Sequence, residues 1–285
     1  MVLFPNRRAK ESFVLKQTKS LTRPQLFYLL LALLTVCAIA LRTVALTLSF
    51  NAKIGYFEKG ALPILLYVIE GVAVALCIVF PFLIKKEDVR EVVSPASLSD
   101  LITAGLCGLL MIAMAVVLFA TLPVGENGTS VLLLLYVLDA IFLLAGSAFF
   151  LCKFREKQSL STSLVLGFTT VPALALLLGI LYFDLYTPMN APHKVSLQIA
   201  LLSIMAALLY ELRVTLDIPR PRAAAAVYGF SAFFCASVGI SNTVAFLSGA
   251  YQSIFYLITD LVCVAFAFYF ANKCLAITRK KEQKA

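Results

Sequence analysis

The sequence predicts an all-α polytopic integral membrane helix bundle of about eight transmembrane helices, on three observations. Sixty-one per cent of its 285 residues are hydrophobic and only 14% are charged, whereas a soluble domain carries about a quarter charged residues. The apolar residues gather into eight runs, each close to the roughly 20 residues that a helix needs to cross a bilayer core. The cations fall between those runs, heavily on alternate connectors.

The runs lie near residues 26–48, 62–84, 101–122, 131–152, 160–183, 195–214, 223–247 and 253–273. The first follows a basic segment, but it is too long for a signal-peptide core and no clear A-x-A site follows it, so it is expected to stay as a helix. Asn51 to Gly60 separates it from the second, where Pro63 begins a helix at no cost in hydrogen bonds. Lys85 to Asp100, Pro123 to Ser130, Lys153 to Ser159 and Asp184 to Lys194 punctuate the next four boundaries. Asp217 to Arg222, with its Pro219-Arg220-Pro221-Arg222 run, stops the sixth helix and starts the seventh. A tight turn at Ser248 and Gly249 joins the last two. Residues 1–25 and 274–285 are then basic tails on a single transmembrane domain, 26–273.

Orientation follows from the Lys and Arg positions. The N-terminal tail, the connectors after even-numbered helices and the C-terminal end together hold 20, against Lys53, Lys59 and Lys194 on the other side. A 20-to-3 split places both termini in the cytoplasm and requires an even number of spans. The expected location is a prokaryotic plasma membrane. The bilayer is the first partner, and the basic tails suit anionic lipid headgroups at about 1 kcal/mol per cation near the surface.

Composition also excludes functions. The net charge of +9 sits in connectors with no aromatic-basic patch, so nucleic acid is not an expected partner. Trp is absent, and Tyr28, Tyr56, Tyr182, Tyr186 and Tyr251 stand near helix ends in its place. The seven Cys (Cys37, Cys77, Cys107, Cys152, Cys235, Cys263 and Cys274) form no C-x-x-C pair and read as small buried hydrophobes. With His193 the single histidine, no metal site or cofactor is expected. No phosphate-binding loop, nucleophile elbow or zinc-protease motif is present, so the reading leans away from an enzyme and names no catalytic residue. The Asn127-Gly128-Thr129 sequon falls in a very short connector and reads as a chance match.

The even helices resemble one another. Tyr67 precedes Glu70, Tyr136 precedes Asp139 and Tyr256 precedes Asp260 by three or four residues, on one helical face. Each acid precedes a Lys by a similar interval: 15 residues to Lys85, 14 to Lys153 and 13 to Lys273. In the sixth helix Gln198 takes that place, 15 residues before Arg213. Repetition of a two-helix hairpin would produce this pattern.

Glu70, Asp139 and Asp260 therefore lie about 8 residues inside their helices, roughly 10–13 Å deep. Arg42 in the first helix can reach the same level with its long side chain. A central Asp or Arg costs about 2.5–3.5 kcal/mol to insert, and one Arg cannot neutralise three carboxylates. Charge balance then calls for water or a bound proton. The best functional reading is a small-solute or ion-coupled secondary transporter whose path is lined by Arg42, Glu70, Asp139, Gln198 and Asp260. The alternative is a non-transporting membrane subunit, scaffold or sensor that works through helix contacts with a protein partner, the polar residues serving as interhelical hydrogen bonds. Asp100 and Glu211, at helix ends, need no special role. The seventh helix offers a small-residue face at Ser231, Cys235, Gly239 and Thr243, and Pro172 is expected to kink the fifth beside Thr169 and Thr170.

Overall fold

A computed structural model describes residues 22–51, 54–58, 60–84, 97–123, 130–154, 159–184, 187–188, 190–216, 218, 220–249 and 253–278. Most of both basic tails, Lys53, Lys59, the Lys85 connector, the Asn127 sequon, Tyr186, Pro219 and Tyr251 lie outside the described residues. Among the described residues eight helices are long and apolar enough to cross a membrane, in agreement with the eight apolar runs. They are α1 (Arg23–Leu48), α2 (Ala61–Leu83), α3 (Leu98–Ala120), α4 (Ser130–Leu151), α5 (Leu160–Phe183), α6 (Pro192–Thr215), α7 (Pro221–Leu247) and α8 (Ile254–Thr278).

Capping chemistry explains where the helices outrun the apolar runs. Thr22 N–H donates to Gln25 Oε1 at 3.0 Å, which starts α1 one turn early, at Arg23. Ser97 Oγ accepts from Asp100 N–H at 3.3 Å and Asp100 Oδ2 accepts from Ser97 N–H at 3.0 Å, which pulls the start of α3 back to Leu98. Ser159 caps α5 through Thr162 N–H at 3.1 Å. Pro192 and Pro221 occupy the first positions of α6 and α7, where no intrahelical donor is lost. At the other extreme α8 continues past Lys273 to Thr278, because an interfacial Lys ends an apolar run without ending the backbone ladder. Between α1 and α2, β1 (Phe50–Asn51) pairs antiparallel with β2 (Tyr56–Phe57), a short hairpin absent from the all-helical expectation. Gly55 turns it with φ of 72°, a left-handed conformation that suits glycine.

Helices α3 to α8 form a closed ring in chain order, with α8 returning to pack on α3. The α1–α2 hairpin stands outside this ring, against α7. Consequently α7 buries 67% of its spanning window and α2 only 22%. Close approach depends on small residues, since lipid supplies no hydrophobic drive between helices. A Cβ on Gly146 of α4 would lie 2.6 Å from Thr170 Cγ2 of α5, and one on Gly239 of α7 would lie 2.7 Å from the Asp260 carbonyl of α8. Ser231 of α7 donates to the Ser203 carbonyl of α6 at 2.5 Å, and Ser241 to the Ile39 carbonyl of α1 at 3.1 Å. The small-residue face of α7 is thus divided, Ser231 meeting α6 and Gly239 meeting α8. Pro172 lies inside α5, and Thr169 and Thr170 turn their hydroxyls back onto the Leu166 and Gly167 carbonyls. Leu29, Leu33 and Val36 of α1 and Phe82 of α2 are exposed, as lipid-facing side chains are.

Candidate functional site

The polar residues singled out from the sequence fall into separate groups. Arg42, buried on α1, donates from Nη2 to Glu70 Oε1 of α2 at 2.8 Å and from Nη1 to Ser196 Oγ of α6 at 2.5 Å. Ser196 in turn donates its hydroxyl hydrogen bond to the His193 carbonyl at 2.9 Å. This bonded pair ties the outer hairpin to the ring. Gln198 is half-buried, and the residue that Arg42 meets on α6 is Ser196, two positions earlier.

Asp260 is fully buried on α8, and its Oδ1 accepts from Asn242 Nδ2 of α7 at 3.0 Å. Its neighbour Thr259 donates to the Phe255 carbonyl at 2.8 Å and lies 3.7 Å from Met114 Sδ of α3. Asp139 is also fully buried, on α4, but neither of its carboxyl oxygens has a hydrogen-bond partner among the described residues. It lies two helical turns from Gly146, on the face that packs against Thr170 of α5 and Met111 of α3. The three acids share a sequence pattern and have different surroundings: one is ion-paired, one is amide-bonded and one has no hydrogen-bond partner among the described residues.

A further cluster was not expected. Glu211, near the end of α6, is buried, and its Oε1 accepts from Lys153 Nζ at 2.5 Å. Tyr269 of α8 donates its hydroxyl to the same oxygen and accepts from Lys153, and Lys273 Nζ stands 3.7 Å from it. Lys153 lies over the rings of Phe149 and Tyr269, at 4.6 and 4.7 Å. Glu211 Oε2 has no partner among the described residues. The cluster joins α4, α6 and α8 at the end of the ring where those three helices terminate. Glu211 therefore has a role that its helix-end position concealed. The recurrence of Lys153 and Lys273 at matching intervals after Asp139 and Asp260 was the available signal.

At the opposite end Lys194 departs from expectation. It reads as a connector cation, yet it falls within the first turn of α6 and is fully buried. Its Nζ donates to the Asp184 carbonyl at 2.7 Å, with the Thr187 and Tyr182 carbonyls at 3.4 and 3.5 Å. It thereby satisfies carbonyls at the α5 terminus, which have no intrahelical partner. Tyr256 of α8 donates to Asp184 Oδ2 at 2.6 Å, and the His193 ring meets Tyr256 and Phe50 edge-on, with centroids 5.5 Å apart in both pairs. Pro188 covers Gly55 of the β-hairpin, so the two connectors at this end pack together.

All seven cysteines are free thiols, and the described residues contain no group of three His, Cys, Asp or Glu arranged to hold a metal ion. Among the described residues the polar interior thus comprises the Arg42–Glu70 pair, the Lys153–Glu211–Lys273 cluster and the buried carboxyls of Asp139 and Asp260. The fold is that of a polytopic membrane protein with eight spans. No protein-family model, curated protein or solved structure matches this chain.

Proposed function

We propose that this protein is a secondary transporter of a small solute, coupled to a proton or inorganic cation that Asp139 takes up inside the ring. One observation supports this: a carboxyl group with no exposed surface, on the inward face of a membrane helix, with both oxygens unpartnered among the described residues. An ionised carboxylate in that position costs several kcal/mol, so the stable species carry a proton or a bound cation. Replacing the proton by a monovalent cation leaves the site neutral, whereas release of either leaves one negative charge inside the ring. Gly146, two turns away on the same face, lies against α3 and α5, so a change at Asp139 is felt by both neighbours.

Coupling is tested in two steps with the purified chain. Infrared difference spectra in lipid nanodiscs, taken on changing pH or sodium, should show a carboxyl band that D139N lacks. Proteoliposomes on a solid-supported membrane should then give solute-dependent charge movement, at least tenfold smaller in D139N at equal protein content. A band that never responds to either ion overturns the assignment, as does unchanged charge movement in D139N.

The bonded state of the other acids favours a second reading. Arg42–Glu70 and Asp260–Asn242 are satisfied within the protein, as interhelical hydrogen bonds of a scaffold or subunit are. Wild-type uptake and growth in E70Q, D139N and D260N, together with a partner that co-purifies, would select it. We assign the basic tails to anionic headgroups, and flotation of tail peptides with vesicles of defined charge tests that contact.

A further inference from the structure

We infer that the Lys153–Lys273 end of the ring is a binding site for an oxyanion, a phosphate or carboxylate group held beside Glu211 by two lysines above the Tyr269 ring. The inference stands apart from the role of Asp139, which lies 14 residues away along α4.

Charge and donor capacity carry it. Among the described residues of the cluster, two ammonium groups face one carboxylate. Glu211 Oε1 already accepts from Lys153 and from the Tyr269 hydroxyl. Lys273 is left at 3.7 Å, beyond hydrogen-bond length, with the Tyr269 ring centroid 5.1 Å away. An ammonium carries three N–H donors, so among the described residues Lys273 has donors in hand and Lys153, which donates to Glu211 and Tyr269, has one. The nearby acid Asp100 is occupied, because its Oδ2 accepts from the N–H and hydroxyl of Ser97.

Position points the same way. The lysine side chains keep 19% and 17% of their surface exposed, while Tyr269 beneath them is fully buried. The spare donors therefore sit partly exposed above the Tyr269 ring, where screening is weaker than in bulk water. A purely structural ion pair would match one cation to one anion and close over. Here a second cation comes from a second helix, and an oxyanion between Lys153 and Lys273 would balance the charge while joining α4 to α8. A free phosphate and a lipid phosphate present the same oxygens, and the distinction is experimental.

The full chain is placed in nanodiscs of zwitterionic lipid and its thermal unfolding is followed against inorganic phosphate, with chloride holding ionic strength constant. A parallel series replaces part of the lipid with phosphatidylglycerol. Saturable stabilisation by phosphate, weakened at least tenfold in apparent affinity by Lys273→Gln, assigns a soluble oxyanion. Stabilisation confined to phosphatidylglycerol discs and lost in the same variant assigns a headgroup. D139N should bind as the wild type does, whatever its transport. No stabilisation of the wild-type chain by either addition overturns the site, and so does stabilisation that Lys273→Gln leaves unchanged. Lys273→Arg, which keeps the charge, should retain binding and serves if the glutamine variant does not fold.

Discussion

Arg42 and Glu70 are 28 residues apart in sequence and bond at 2.8 Å between α1 and α2, with Ser196 of α6 on the second guanidinium nitrogen. The pair is nearly sealed, with 3% and 13% of the two side chains exposed. Removing one partner strands the other.

Arg42→Met is therefore expected to cost about 3–5 kcal/mol, while the double variant Arg42→Met with Glu70→Met recovers most of the loss. Unfolding in detergent measures both. Ser196→Ala, which removes one bond to a charged group, should cost about 1.5–3 kcal/mol.

Asp139 and Asp260 should respond in opposite ways. D139N sacrifices no hydrogen bond to the described residues, so its melting temperature should equal or exceed that of the wild type. Asn242→Leu takes a donor from Asp260 and should cost about 1–3 kcal/mol. A D139N loss as large as that of Asn242→Leu would mean that Asp139 has a protein partner.

Gly239→Ala drives a methyl group to 2.7 Å from a carbonyl oxygen and 3.0 Å from the Val264 amide nitrogen. Backbone cannot swing aside, so the expected cost is about 1–3 kcal/mol. Gly71→Ala meets nothing within 4 Å and lies inside α2, so it should leave stability unchanged or raise it by up to about 1 kcal/mol. Melting of the two variants side by side isolates the packing contact.

Fluorescent and periplasmic-phosphatase fusions at the first and last residues should report the same compartment, the cytoplasm. That outcome follows from eight spans and the 20-to-3 distribution of cations. Opposite compartments would require an odd number of crossings.

Span number was legible because each helix must be apolar along its whole length, a property contained in one stretch of chain. The bounds of α5 matched at both ends, where Ser159 and Asp184 flank the apolar run. Partners were not legible. Tyr136-Asp139 and Tyr256-Asp260 look alike locally, yet only the second acid receives an amide from α7. Arg42 was read as an inward-reaching cation, but its choice of Ser196 over Gln198 depends on the rotation of α6, which one helix does not specify. Glu211 and Lys194 were misread for the same reason, each looking like an interfacial charge until distant segments enclosed it.

The α3–α8 seam has a consequence for biosynthesis. Asn272 donates to the Ser99 carbonyl at 3.2 Å across 173 residues of chain. At about 5–20 residues per second a ribosome needs roughly 10–35 s to cover that distance. Throughout that interval α3 waits in the membrane with its α8-facing flank unclaimed. A nascent chain released before its last helix should be open to quality-control proteases, and a separately expressed final helix should rescue it.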